Sequence, residues 1–300
     1  MIQERESAYP FAALTDTGLV REGNEDRYAI TAFRSGKGEE TPGLLAVLSD
    51  GVGGETSGEV AAELAVETIQ RHVLSSSADR PGEVLAEAIR SANEVILASI
   101  RRRPSLAGMA ATVACAWISG NRLSIATLGD TRIYLLRGSE EIHQLSTDHT
   151  WLQEAMDAGA ITSAQKEGHP NAHVIRRFLG SEHPPEVDTR LHYPGQMGDQ
   201  LTLYPGDIVF LCTDGCSDLV RPKEIRERFA GQSLNKSLEE IRKLALDRGG
   251  RDNITMLAIF VPEHPALKRR RSHRWLWILA IIAIVLAVAA GFYLGWLSQN

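Results

Sequence analysis

Four short acidic motifs stand far apart in the chain, and a fold that uses them must bring distant segments together. They are Arg21-Glu22-Gly23-Asn24-Glu25-Asp26, Asp50-Gly51-Val52-Gly53-Gly54, Asp214-Gly215-Cys216-Ser217-Asp218 and Arg251-Asp252-Asn253. Asp50 ends the run Leu44-Leu45-Ala46-Val47-Leu48-Ser49, Asp214 follows Val209-Phe210-Leu211-Cys212-Thr213, and Asp252 precedes a last apolar stretch. A buried strand that ends in a carboxylate, followed by a glycine that lets backbone approach an ion, suits a hard-cation site. Convergence of the motifs would crowd like charges, which must be neutralised by protonation or by divalent cations. One Asp-Gly pair reads as a turn. Four acidic motifs in succession, two of them built on Asp-Gly, point to metal chemistry.

The segments between the motifs have short apolar or alternating runs rich in β-branched residues. They predict strands over 11–17, 27–33, 44–49, 111–118, 122–128, 132–137, 207–213 and 253–261. Ala61, Leu64, Ala65, Ile69 and Val73 recur at helical spacing, as do Leu85, Ala88, Ile89, Ala92 and Ile96, and a third helix is expected over 237–246. Strands and helices segregated in this way predict an α+β fold with antiparallel sheets. The polar stretch 149–175 interrupts the strands, with short helical pieces expected at 151–157 and 162–167. Gly129-Asp130-Thr131-Arg132 reads as a turn between two strands, with Asp130 bonding local backbone.

No repeat or Pro-rich linker divides the first 262 of the 300 residues. The chain is formally −6, yet Lys268, Arg269, Arg270, Arg271 and Arg274 crowd one short stretch, so the rest is strongly acidic. A nucleic-acid partner is excluded for want of a basic stripe on the globular part. Cys115, Cys212 and Cys216 are too few for a disulfide scaffold and fit a reducing compartment. Cys212 and Cys216 flank Asp214, but Cys212 lies in an apolar run and no second Cys/His pair accompanies them, so soft-metal ligation is set aside.

Residues 275–297, 23 in number, carry no charge. As a helix they reach about 34 Å, enough to cross a hydrocarbon core. Trp275, Trp277, Tyr293 and Trp296 lie near the ends, where amphipathic rings favour the interface. The basic run just before the span places the acidic body in the cytoplasm, so the expectation is a single-pass, tail-anchored protein of the inner cell membrane. Residues 1–262 form the expected catalytic domain, 263–274 a basic juxtamembrane linker and 275–297 the transmembrane helix. Ala283, Ala287, Gly291 and Gly295 share one face of that helix and would permit a weak dimer through it.

The four motifs, in their order, resemble those of the metal-dependent protein serine/threonine phosphatases of the PP2C (PPM) family, over about 15–261 and most closely the small bacterial members. The resemblance implies an αββα sandwich, two antiparallel sheets between helical layers. It implies two Mn²⁺ or Mg²⁺ ions, with a third common in bacterial relatives. Asp50 would bridge the pair, the Gly51 carbonyl would bind the second ion, and Asp214 and Asp252 would complete the first. Glu25 would act chiefly through metal-coordinated water, Asp26 would orient the nucleophilic water, and Arg21 would clamp the phosphate. Asp148 and Asp218 match the usual third-metal ligands, though Asp148 is also placed to cap the helix beginning near Thr150. The stretch 149–175 would be a flap beside the site, or else a plain surface insertion. Position 52 is Val where eukaryotic members often place a histidine as general acid; His149 and His173 are the nearby imidazoles. The implied partners are phosphorylated proteins and a cognate Ser/Thr kinase whose action the chain would oppose. A non-catalytic module that has kept the fold and a hydrolase of small phosphoesters are the competing readings.

Overall fold

The computed structural model describes residues 1–35, 41–53, 57–139, 141–162, 165, 169–171, 173–195 and 198–263. The basic run and the expected span at 275–297 lie outside the described residues, as does most of the helical piece expected at 162–167. Among the described residues no helix is long and apolar enough to cross a membrane.

In chain order the strands are β1 (Ile2–Gln3), β2 (Phe11–Asp16), β3 (Arg27–Ser35), β4 (Thr41–Ser49), β5 (Gly51–Val52), β6 (Ala110–Ala111), β7 (Val113–Ser119), β8 (Arg122–Leu128), β9 (Arg132–Arg137), β10 (Glu141–Gln144), β11 (Leu201–Thr202), β12 (Ile208–Cys212) and β13 (Ile254–Phe260). The helices are α1 (Ser57–Ser75), α2 (Pro81–Arg102), α3 (Trp151–Asp157), α4 (Asp214–Ser217), α5 (Pro222–Arg228) and α6 (Leu234–Asp247). One sheet has the order β1-β3-β4-β7-β8-β11 and the other β10-β9-β12-β13-β2, with antiparallel pairing throughout.

Side chains alternate across a strand, and here both faces are covered. On β4, Leu45 and Val47 join Cys115 and Trp117 of β7 under α1 and α2, with Ala61, Ala65, Ile69, Leu85, Ile89 and Ile96 completing that core. The intervening Leu44, Ala46 and Leu48 point the other way, onto Ile133, Leu135, Val209, Leu211, Leu257 and Ile259 of the second sheet. The outer face of the second sheet, with Tyr134, Phe210 and Met256, is covered by Ile225 of α5 and Leu238 and Ile241 of α6. Three apolar layers between four structural layers make the expected αββα sandwich. Burying each such Leu, Ile or Val contributes about 1.5–3 kcal/mol, and the double-sided burial explains the continuous apolar runs.

Strand register carries three of the acidic motifs to one end of the second sheet. Ile254 at the start of β13 pairs with Asp16 at the end of β2, and Met256 pairs with Cys212 at the end of β12. Asp214, Asp252 and the segment leading to Asp26 therefore leave the sheet together. The first sheet meets them through Arg27, the first residue of β3, which pairs with Ser49 and so sets Asp26 beside Asp50.

Candidate metal centre

Asn253 holds the first and fourth motifs together. Its Nδ2 donates to the carbonyls of Thr17 and Gly23, each at 2.9 Å, and its Oδ1 accepts from the Glu25 N–H at 2.8 Å. The third motif packs as closely: a Cβ on Gly215 would stand 2.1 Å from the Asn253 carbonyl oxygen, so only glycine fits there. Asn24 fixes Asp26, its Oδ1 accepting from the Asp26 N–H at 3.0 Å while its Nδ2 donates to Thr15 Oγ1 at 2.8 Å. Thr213 Oγ1, at the end of β12, donates to Asp26 Oδ2 at 3.0 Å. On the first sheet Asp50 is tied to Thr112, whose N–H donates to the Asp50 carbonyl at 2.8 Å.

These carboxylates raise one another's pKa. Burial, then the charges of Asp26, Asp214, Asp130 and Asp252, hold the Asp50 carboxyl well above its usual range. Burial pushes Asp26 up to about 7, assisted by Asp214 and Asp252 and opposed by hydrogen bonds from Thr255 and Thr213. Asp214 rises to about 6 through burial and then the charges of Asp218 and Asp252, with the neighbouring Asp50 opposing the rise. Glu25 is also raised, chiefly by burial.

Divalent cations fit this arrangement. Glu25 Oε1, Asp26 Oδ1 and Asp214 Oδ1 are sealed from solvent without a hydrogen-bond partner among the described residues, a costly state for a carboxylate. Gly51 leaves room: a Cβ there would fall 2.3 Å from the Gly58 carbonyl oxygen and 2.8 Å from that of Glu25. The donors are all oxygen, as hard Mg²⁺ and Mn²⁺ require. Arg21 stands at the rim, half-exposed, with Nη2 2.6 Å from Asp252 Oδ2. That ion pair leaves the guanidinium beside the acidic cluster and open to an incoming oxyanion.

The structure does not bring Asp148 into this group as a donor. Arg132 grips it from two nitrogens, Nε at 2.9 and 3.0 Å and Nη2 at 2.6 Å, and Gln144 Nε2 donates to its Oδ1 at 2.9 Å. Nor does it cap α3, whose N-cap is Thr150, accepting from the Gln153 N–H. Asp130, expected only to shape a turn, lies with the acidic cluster. Burial and then Asp214 raise its pKa to about 8. Asp218 lies beside Asp214 at the edge of the cluster and also faces His173, with Nδ1 to Oδ2 at 3.1 Å. His149 is buried and structural: its Nδ1 accepts from the Gly129 N–H at 3.0 Å, which puts the proton on Nε2, 3.9 Å from Asp188 Oδ2. Cys115, Cys212 and Cys216 are free and buried, with burial raising the Cys115 and Cys212 thiols.

A family model described as Protein phosphatase 2C matches residues 22–248. The chain is 34% identical over 259 residues to the serine/threonine protein phosphatase PstP of Mycobacterium tuberculosis, an alignment that covers 85% of this chain and 45% of that protein. It thus spans less than half the length of that relative. It is 30% identical over 259 residues to the protein phosphatase PhpP of Streptococcus pneumoniae, covering 84% of this chain and 98% of that one. A crystal structure of M. tuberculosis PstP superposes with a TM-score of 0.72 at 31% identity, covering 85% of this chain and 99% of that chain. The PstP catalytic domain in complex with two manganese ions gives 0.69 at 32% identity, covering 85% and 98%.

Proposed function

The chain belongs to the protein phosphatase 2C family, and on that premise we propose that it hydrolyses phosphoserine and phosphothreonine in proteins with two Mn²⁺ or Mg²⁺ ions. The observation that carries the reading is the convergence of Glu25, Asp26, Asp50, Asp214 and Asp252 from four distant motifs, with three sealed carboxylate oxygens left unpartnered. Asp50, the Gly51 carbonyl, Asp214, Asp252 and Glu25 would hold the cations. When bound, the cations supply Lewis-acid stabilisation of the phosphoryl oxygens and acidify water.

The chain's own groups do the rest. Arg21 turns its guanidinium from Asp252 to two phosphoryl oxygens, which positions the phosphorus over the acidic cluster and offsets charge in the transition state. Asp26, anchored by Asn24 and Thr213, orients the attacking water in line with the leaving oxygen and accepts its proton. Val52 offers no acid, and His149 is buried with its Nδ1 held by the Gly129 N–H, so protonation of the leaving alkoxide falls to solvent. With all three cysteines buried, a cysteinyl-phosphate route has no exposed nucleophile.

The charge-free 275–297 stretch, preceded by its basic run, supports a single membrane span with the phosphatase body on the cytoplasmic side, and the proposed hydrolysis of phosphoserine and phosphothreonine would oppose a Ser/Thr kinase. The small-residue face of that span supports weak self-association. Membrane fractionation with and without 275–300, and the oligomeric state after Gly291→Ile with Gly295→Ile, test these two points.

The full chain assayed on a phosphothreonine peptide with Mn²⁺, Mg²⁺ or chelator tests the activity. Turnover should need a cation, and Asp214→Asn should lower it by more than the about 10–100-fold cost of losing an outer-shell partner. Turnover in chelator, or an unimpaired variant, overturns the assignment.

A further inference from the structure

α2 runs out into three consecutive arginines, Arg101, Arg102 and Arg103, all exposed and none with a partner for its guanidinium among the described residues. Elsewhere along α1 and α2 the pattern is different, with Arg71 paired to Glu67 and Arg80 to Glu83. A helix C-terminus favours cations in its last turn, which accounts for Arg101 and Arg102. It does not account for Arg103, which is the C-cap. There the backbone is extended, at φ −132° and ψ 90°, and the Arg103 N–H donates to the Ser99 carbonyl at 2.9 Å.

The segment that follows carries this patch to the metal centre. The Leu106 N–H donates to the Arg103 carbonyl at 2.9 Å and the Met109 N–H to the Leu106 carbonyl at 3.1 Å, two tight turns in succession. The ends of each turn stand less than about 7 Å apart, so the Arg103 Cα lies within about 14 Å of that of Met109. Met109 sits against Gly53, where an added Cβ would stand 3.5 Å from its Cα. Ala110 and Ala111 then pair with Val52 and Gly51, directly after Asp50.

We infer that Arg101, Arg102 and Arg103 form a second anchoring point for the substrate, one that takes an acidic segment of the same polypeptide about four to six residues from the phosphorylated one. The inference rests on the phosphatase reading and names a substrate class for it. Extended chain covers about 3.3 Å per residue, so about four residues span the distance from Met109 to Arg103 and up to about six include the step to the carboxylate cluster. The globular part is strongly acidic, and an anionic segment is repelled from most of its surface. Unpaired guanidinium groups beside the cleft give such a segment a place to dock, and their planar fork matches a carboxylate. Three arginines make a short patch, suited to a few carboxylates and not to the long phosphate run of a nucleic acid. Lipid headgroups are the competing anion, but the patch lies next to the cleft that a phosphorylated residue must enter.

The test assays the full chain with Mn²⁺ on three phosphothreonine peptides, one with neutral flanks and two with glutamates placed about four to six residues before or after the phosphothreonine. The wild type should favour an acidic peptide by about tenfold in kcat/KM, acting through KM, as a few exposed ion pairs would give. High salt should erase that preference. Arg101→Gln, Arg102→Gln and Arg103→Gln combined should remove it, whereas Lys at the same three positions should keep most of it, since exposed pairs rest on charge. A wild type without the preference overturns the inference and leaves the phosphatase reading standing. So does a ratio between acidic and neutral peptides that survives the three glutamines, whatever the absolute rates. A preference abolished by phosphatidylserine vesicles assigns the arginines to anionic lipid and overturns it too. Absence of turnover on every peptide overturns this inference together with the phosphatase reading.

Discussion

Replacing Asn253 with Ala removes a side chain that touches no substrate and yet should unsettle both the fold and the site. Asn253 is buried and makes three hydrogen bonds of 2.8–2.9 Å to the backbone of residues 17–25. Each such bond stabilises by about 1 kcal/mol net, so their loss costs about 3 kcal/mol; Gly23 is exposed and water recovers part of its desolvation, which keeps the sum from rising further. At about 2–4 °C per kcal/mol for a domain of this size, thermal unfolding should come about 6–12 °C earlier. Asn253→Asp keeps the acceptor for the Glu25 N–H but sets an anionic oxygen against two carbonyls and adds charge to the acidic cluster, so it should lose at least as much. Circular dichroism melting in chelator measures both, and Mn²⁺ titration should show weaker binding because Glu25 and Arg21 lose their mooring. A melting shift below about 2 °C for Asn253→Ala would show that the loop is held by other bonds, such as the Leu19 N–H to the Gly250 carbonyl, and would refute the argument.

Arg21→Lys keeps the charge but loses the two-pronged grip, and kcat/KM on a phosphopeptide should fall about 10–100-fold, the equivalent of one charge-assisted hydrogen bond; an unchanged value would remove Arg21 from phosphate binding. Thr213→Val preserves shape while deleting the donor to Asp26 Oδ2, and Mn²⁺ affinity should drop about 10–100-fold. Asp26, Asp214 and Asp130 have pKa values raised to about 7, 6 and 8 from 3.8. The stability tied to their protonated forms is present in full below about 3.8 and is lost as pH rises through about 6 to 8. The chelated protein should therefore melt at falling temperature from pH 5 to 8, and saturating Mn²⁺ should flatten that slope; parallel slopes with and without metal would show that these carboxyls are not where the cations bind.

The long elements were legible in the sequence because their patterns have enough periods to count. The continuous apolar runs of β4 and β12 announced strands covered on both faces, and the helical spacing in 61–73 and 85–96 marked α1 and α2. β1, β5, β6 and β11 span two residues each and have no period to detect. α5 did carry a start signal, Pro222 at its first turn with Glu224 accepting from the Arg221 N–H, and reading it would have found the helix.

In the site, spacing in sequence could nominate carboxylates but not say which way each would turn. For Asp148 the deciding feature is the β9–β10 hairpin, which has no signal in the spacing of the acidic motifs. In that hairpin Tyr134 pairs with Gln144, and continuing the register sets Arg132 near residue 146, with the Leu145 N–H bonded to the Ile133 carbonyl. The arginine then meets Asp148 before any cation could. Asp130 escaped notice as a site residue because a Gly-Asp-Thr turn explains itself locally, although the pairing of Val113 with Leu128 brings it to the same end as Asp50.

The same registers make fold and site inseparable. A one-residue slip of β13 against β12 would move its inward set, Leu257 and Ile259, out of the core between the sheets. It would also carry Asp252 and Asn253 away from Asp214 and Glu25. Core burial therefore enforces an arrangement of carboxylates that, without cations, works against folding. Apolar layers on both faces of each sheet supply the surplus that keeps such a cluster assembled, and divalent ions turn its repulsion into binding energy. The cations should accordingly stabilise the protein most at the pH where the metal-free form is weakest.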